Sequence, residues 1–90
     1  MIKSEIRILN KLGLHARPAS KLVKIISMSN SDVTLTKGGQ RVNAKSILGV
    51  LLLQAECNSI VKLEIKGPDE DQLLQQITDL VNSKFGEDRK

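Results

Sequence analysis

His15 stands two positions before Arg17 in the octet Gly13-Leu14-His15-Ala16-Arg17-Pro18-Ala19-Ser20, and it is the only histidine in the 90 residues. An imidazole, with an ordinary pKa of about 6.5, is largely uncharged at neutral pH and keeps a ring-nitrogen lone pair able to attack phosphorus. Pro18 suits the first turn of a helix, where a missing N–H costs no intrahelical bond. A histidine at such a start sits beside free backbone N–H groups and the positive end of the helix dipole, both favourable to a phosphate. The guanidinium of Arg17 would add a charge-assisted phosphate partner. Gly13 relaxes the turn before the histidine. The plainer reading of His15 is a capping or partly buried histidine that satisfies a turn, and of Arg17 a solvated surface arginine.

What the chain lacks narrows the chemistry. No carboxylate stands in the octet to act as a base, and there is no glycine-rich nucleotide loop, so any catalytic machinery is expected to belong to partners. One cysteine, Cys57, and one histidine make neither a disulfide nor a metal cluster, and no cofactor is expected. Cys57 reads as a small apolar filler. Fourteen Lys and Arg against ten Asp and Glu give a net charge of +4, which favours acidic partners and leaves a small basic RNA-binding α/β module as an alternative. Against nucleic acid, the cations are scattered and Phe85 is the only aromatic, so no stacking platform exists. Met1-Ile2-Lys3-Ser4-Glu5 lacks an apolar signal core, and no run approaches the roughly 20 apolar residues that span a bilayer. The expectation is a cytoplasmic protein without membrane insertion.

The length suits one domain over residues 1–90. Ile2 to Leu9 alternate as a half-buried strand, and Asn10 to Leu14 turn into a helix with Ala19, Leu22, Val23 and Ile26 at helical spacing. Lys21 and Lys24 stay outside. Val33 and Leu35 mark a second strand, Gly38-Gly39 a hairpin turn, and Val42 a third strand. Ser46 stands where a helix N-cap is wanted, before Ile47, Leu48, Val50, Leu51, Leu52 and Leu53, too many apolar residues to face one core. Ile60 to Lys66 alternate as a fourth strand. Asp69-Glu70-Asp71-Gln72 resembles a capping-box variant ahead of a helix with Leu73, Ile77, Leu80 and Val81 inward and a stop at Gly86. Glu87 to Lys90 are expected to fray. The order β-α-β-β-α-β-α predicts an α+β fold, a two-layer open-faced sandwich of four strands under amphipathic helices.

Gly13-Leu14-His15-Ala16-Arg17-Pro18 resembles the phosphorylation-site motif of HPr, the histidine-containing phosphocarrier family of the bacterial phosphoenolpyruvate-dependent phosphotransferase system. Val42-Asn43-Ala44-Lys45-Ser46-Ile47-Leu48-Gly49-Val50 is similar to the family's regulatory-serine segment, at the family's usual separation. The resemblance implies an antiparallel sheet of order 1-4-2-3 with three helices on one face. It implies that His15 takes a phosphoryl group on Nδ1 from enzyme I and passes it to IIA domains, with Ala16 and Arg17 binding the phosphate. Such a chain is a carrier rather than an enzyme, and most simply a monomer. The resemblance further implies regulation by phosphorylation of Ser46, with HPr kinase/phosphorylase as a partner in bacteria that have it. Partner docking is implied for Ile47, Leu48 and Leu51, with Leu14, Ser20, Lys24 and Lys45 around them. A branch of the family serves a regulatory, nitrogen-related IIA instead of sugar uptake. Many members carry glycine at the positions of Gln54 and Asn58, where this chain departs; Asn tolerates positive φ and is expected to preserve its turn.

Overall fold

The computed structural model describes residues 1–86. Strands β1 (Ile2–Arg7), β2 (Asp32–Lys37), β3 (Gln40–Asn43) and β4 (Ile60–Lys66) form one antiparallel sheet of order β1-β4-β2-β3. Helices α1 (Ala16–Ser27), α2 (Ile47–Leu52) and α3 (Glu70–Asn82) cover one of its faces. This is the expected α+β sandwich, in the strand order the family resemblance implied.

Register shows why one face is covered and the other is not. Ile2 pairs with Ile65, Ser4 with Leu63 and Ile6 with Val61, so one side of the β1–β4 ladder is mostly apolar and faces the helices. One residue along, Lys3 pairs with Glu64 and Glu5 with Lys62, opposite charges directly across the open face. Arg41 adds an ion pair with Glu64 at 3.3 Å from the edge strand β3. The regular ladder of β1 stops at Arg7, short of the expected Leu9. Ile8 is nonetheless buried and bonded through both backbone groups, donating to the Ser59 carbonyl and accepting from the Asn58 N–H. The β2–β3 hairpin turns on Gly38 and Gly39, both at positive φ, as a two-residue connection of that twist requires.

The core is aliphatic, with one exception. Leu22 and Ile26 of α1, Val50 of α2, Leu73 and Ile77 of α3 and Val33, Leu35, Leu63 and Ile65 of the sheet are all buried. Phe85 joins them. The expected helix stop at Gly86 is corrected: α3 ends at Asn82, and Lys84 and Phe85 take left-handed backbone at φ 56° and 55°. That reversal swings the aromatic ring into the core, and Lys21 Nζ donates to the Phe85 carbonyl at 2.6 Å from the side of α1. The expected fraying of Glu87 to Lys90 lies outside the described residues.

The capping box expected at α3 is also corrected. Asp69 is the N-cap, but its carboxylate makes no cap bond. It accepts instead from the Ser31 hydroxyl and, at 3.0 Å, from the Asn30 N–H, so it anchors the loop that leads into β2. The Ser31 hydroxyl first, then the Asn30 N–H, holds the Asp69 carboxyl below its ordinary value. Glu70 rather than Gln72 reaches back, and it accepts from the Gly67 N–H at 3.2 Å, two residues before the N-cap.

Candidate functional site

The turn that delivers His15 is closed by bonds on both sides. Gly13 N–H donates to the Asn10 carbonyl at 3.2 Å, and the Asn10 side-chain Nδ2 donates to the Gly13 carbonyl at 2.7 Å. The same Gly13 oxygen accepts the His15 N–H at 3.0 Å, while Leu14 N–H donates to the Ala55 carbonyl at 2.8 Å. The turn therefore leans on the segment that follows α2. Gly13 has φ +71°, and a Cβ there would overlap the Ala55 oxygen and lie 2.8 Å from Glu56 Cα. Two independent constraints thus demand glycine at this position.

His15 is the N-cap of α1, in extended conformation at φ −80° and ψ −170°, and its carbonyl accepts the first helical bond from Ala19 N–H at 2.9 Å. Its side chain makes no cap hydrogen bond, and no acidic residue stands in the first turn. The His15 side chain and the first turn itself thus supply no cap bond or carboxylate to offset the positive end of α1. Pro18 has no N–H, which leaves those of Ala16 and Arg17 as the first-turn donors. Both residues are exposed, and His15 is half-buried. Arg17 makes no ion pair among the described residues, so its guanidinium is available to an incoming anion. A half-exposed imidazole, an uncapped helix start and an available arginine are what a transient phosphoryl acceptor needs.

Ser46 caps α2 as expected: its Oγ accepts from Gly49 N–H at 3.1 Å. Asn43 Oδ1 accepts from Lys45 N–H at 2.9 Å and shapes the approach to the cap. Lys45 Nζ lies 3.7 Å from Asp32, an exposed pair worth little energy. On α2, Val50 is buried, as is Leu53 at its C-cap, Leu51 is half-buried, and Ile47, Leu48 and Leu52 are 41%, 65% and 55% exposed. Ser20 and Lys24 are exposed on α1.

One residue changes place relative to the sequence reading, and one left open is settled. Leu14, expected on the docking surface, is 4% exposed and belongs to the core. It occupies N′, directly before the N-cap, where an apolar side chain packs down on the first turn and fixes the entry of the chain. Leu52, one of the apolar residues the sequence left undivided between core and surface, is exposed. Its spacing is the available signal, since Leu48 and Leu52 stand four apart on one helix face. Leu12, 73% exposed in the turn before His15, adds a further apolar side chain that sequence reasoning misses. Asn10 and Ala55, which hold the turn, escape it too, because their partners depend on the tertiary fold. Away from His15, a concavity of about 700 Å³ runs between the last turn of α1 and α3, past Ile25, Met28 and Leu80.

The family profile described as the phosphorylation site of the phosphotransferase-system HPr component matches residues 2–83. The phosphocarrier protein HPr of Neisseria meningitidis is 45% identical over 87 residues, covering 97% of this chain and 98% of that protein. The chain belongs to the HPr family. A crystal structure of HPr from Thermoanaerobacter tengcongensis superposes with a TM-score of 0.93 at 42% identity, covering 99% of this chain and all of that one. A dimeric HPr from the same organism has a TM-score of 0.77 at 42% identity over 97% of this chain and all of that one. Membership makes the chain a phosphocarrier protein of the phosphotransferase system rather than a catalyst in its own right. Among the described residues no helix is long and apolar enough to cross a membrane, and no group of His, Cys, Asp and Glu could hold a metal ion.

Proposed function

We propose that His15 accepts a phosphoryl group from phosphorylated enzyme I and donates it to IIA domains in the cytoplasm. The observation that carries this reading is the position of His15: it occupies the N-cap of α1 without capping it, so a phosphate on the ring would meet the helix N-terminus and Arg17. In the transfer, the lone pair of the His15 ring nitrogen forms a bond to phosphorus as the donor's phosphorus–nitrogen bond breaks. That electron pair returns to the donor's ring. The second transfer repeats the exchange with His15 as leaving group. The family resemblance puts the phosphate on Nδ1, with Ala16 N–H and Arg17 as its partners.

Docking falls to Ile47, Leu48, Leu51 and Leu52 of α2, with Leu12 in the preceding turn, and Arg17, Lys24 and Lys45 supply positive charge that suits acidic, apolar partner surfaces. Phosphorylation of Ser46 would place negative charge at the N-terminus of α2, a position the helix tolerates and an acidic partner does not. The chain acts as a monomer as it meets these partners in turn. The test is relay: pre-phosphorylated chain, freed of enzyme I, is mixed with purified IIA domains of the sugar and the nitrogen-related type. Loss of label from His15 with its appearance on one IIA supports the reading and names the branch. Retention of label in the presence of both would count against a carrier role.

A further inference from the structure

Asn10 is a fully buried polar residue five positions before His15, on a turn that main-chain bonds also hold. Its Nδ2 donates to the Gly13 carbonyl at 2.7 Å, the short end of the N–H···O range, and that oxygen also accepts the His15 N–H. Its own carbonyl accepts the Gly13 N–H. From the opposite side the Ala55 carbonyl takes the Leu14 N–H and closes off the space where a Gly13 side chain would stand. The peptide groups of Gly13, Leu14 and His15 are thus each held before the chain enters α1. The direction in which the imidazole leaves the backbone follows from those peptide planes.

We propose that Asn10 is a positioning residue for phosphoryl transfer: its buried amide locks the Gly13 carbonyl, and through it the His15 peptide, so that the ring is presented at the mouth of α1. The inference rests on the reading of His15 as phosphoryl acceptor. Asn10 touches neither phosphate nor partner. Its effect lies in alignment, and displacement of a reacting atom by about 1 Å can cost on the order of 100-fold in rate. The exposed apolar side chains of α2 are separate from it, so of the docking residues only Leu12, inside the same turn, is within its reach.

The test uses Asn10→Leu, nearly isosteric but with no hydrogen-bond donor, and Asn10→Ala, with Ile77→Val in the α3 core as a control for lost stability. Phosphorylation by enzyme I and phosphoenolpyruvate is followed at varied concentrations of each chain. Both Asn10 variants should lose about tenfold or more in kcat, with any change in KM smaller, and the control should keep its kcat at a comparable fall in Tm. In the wild-type chain, the Asn10 side-chain amide protons should exchange slowly with solvent, a readout that needs no variant to fold. Fast exchange of those protons, unchanged kcat in the variants, or a loss confined to KM would overturn the inference. If the wild-type chain takes no phosphate, the reading of His15 falls and this one with it. A phosphorylated wild type beside unimpaired Asn10 variants would sink this inference alone.

Discussion

At the scale of single residues, backbone geometry sorts the positions this chain can change from those it cannot. Gly13 is immovable: its positive φ and the close approach of Ala55 and Glu56 should make Gly13→Ala cost about 2 kcal/mol or more, read as a fall in Tm. Gln54 and Asn58 are the reverse case. Both take positive φ, at 50° and 73°, as residues open to solvent in full or in part where many family members have glycine. Asn58 bears out the expected tolerance; Gln54 bears the larger steric burden, because only Asn and Asp of the non-glycine residues visit this region readily. Gln54→Gly is therefore expected to raise stability by about 0.5–1 kcal/mol in thermal unfolding, and no rise would mean the loop had already relaxed around glutamine. Asp69 carries a pH-dependent contribution. Its folded pKa lies below the ordinary 3.8, so the Ser31 and Asn30 bonds stabilise the fold fully above that value and fade as pH falls through the lowered one. The gap in Tm between the wild type and Asp69→Asn should accordingly be open at neutral pH and close in strong acid.

At the scale of elements, α2 combines a cap with an unpaired apolar side. Ser46→Ala removes the bond to Gly49 N–H and should cost about 1 kcal/mol of stability. Ser46→Asp keeps an acceptor at the cap and adds a charge that the helix N-terminus favours, so Tm should hold while transfer from enzyme I slows. A parallel fall of Tm and transfer in Ser46→Asp would instead assign the loss to damage of the helix. Leu48→Asp and Leu52→Asp should slow transfer about tenfold for each 1.4 kcal/mol of docking lost, with folded circular dichroism intact. Leu14→Asp should unfold the chain, because that leucine lies beneath the turn and not on the docking side. The difference between Leu14 and Leu52 marks how far sequence reading reaches. Strands with strict alternation, the Gly38-Gly39 hairpin and the N-cap at Ser46 obey local rules and are legible. Which leucine of an almost wholly apolar helix meets water is decided by neighbours distant in sequence. The same holds for Asp69, whose partners Asn30 and Ser31 stand on another loop, and for Phe85, which enters the core only through a left-handed reversal that no composition signals.

At the scale of the whole molecule, the two faces of the sandwich differ in chemistry. The open sheet alternates charges in register and offers no continuous apolar strip, whereas Ile47, Leu48 and Leu52 of α2 and Leu12 of the turn before His15 are exposed, with Met1, Met28 and Ile60 exposed elsewhere. With a net charge of +4 and cations at Arg17, Lys24 and Lys45, association with acidic partners should weaken as salt is raised, while the intrinsic transfer step stays constant. The pairing of His15 with Arg17 at a helix start and the overall element order are legible in the amino-acid sequence itself. Strand order is legible only through family resemblance, since alternation does not say which strands are neighbours. The central claim is that His15, and no other residue, carries the phosphoryl group. Intact-protein mass spectrometry after incubation with enzyme I, Mg²⁺ and phosphoenolpyruvate tests it most directly, with His15→Ala alongside. One added phosphate that is stable in base, lost in acid and absent from His15→Ala is the expected result. An unmodified chain beside an enzyme I that phosphorylates a known carrier, or a phosphate that persists in His15→Ala, would contradict it.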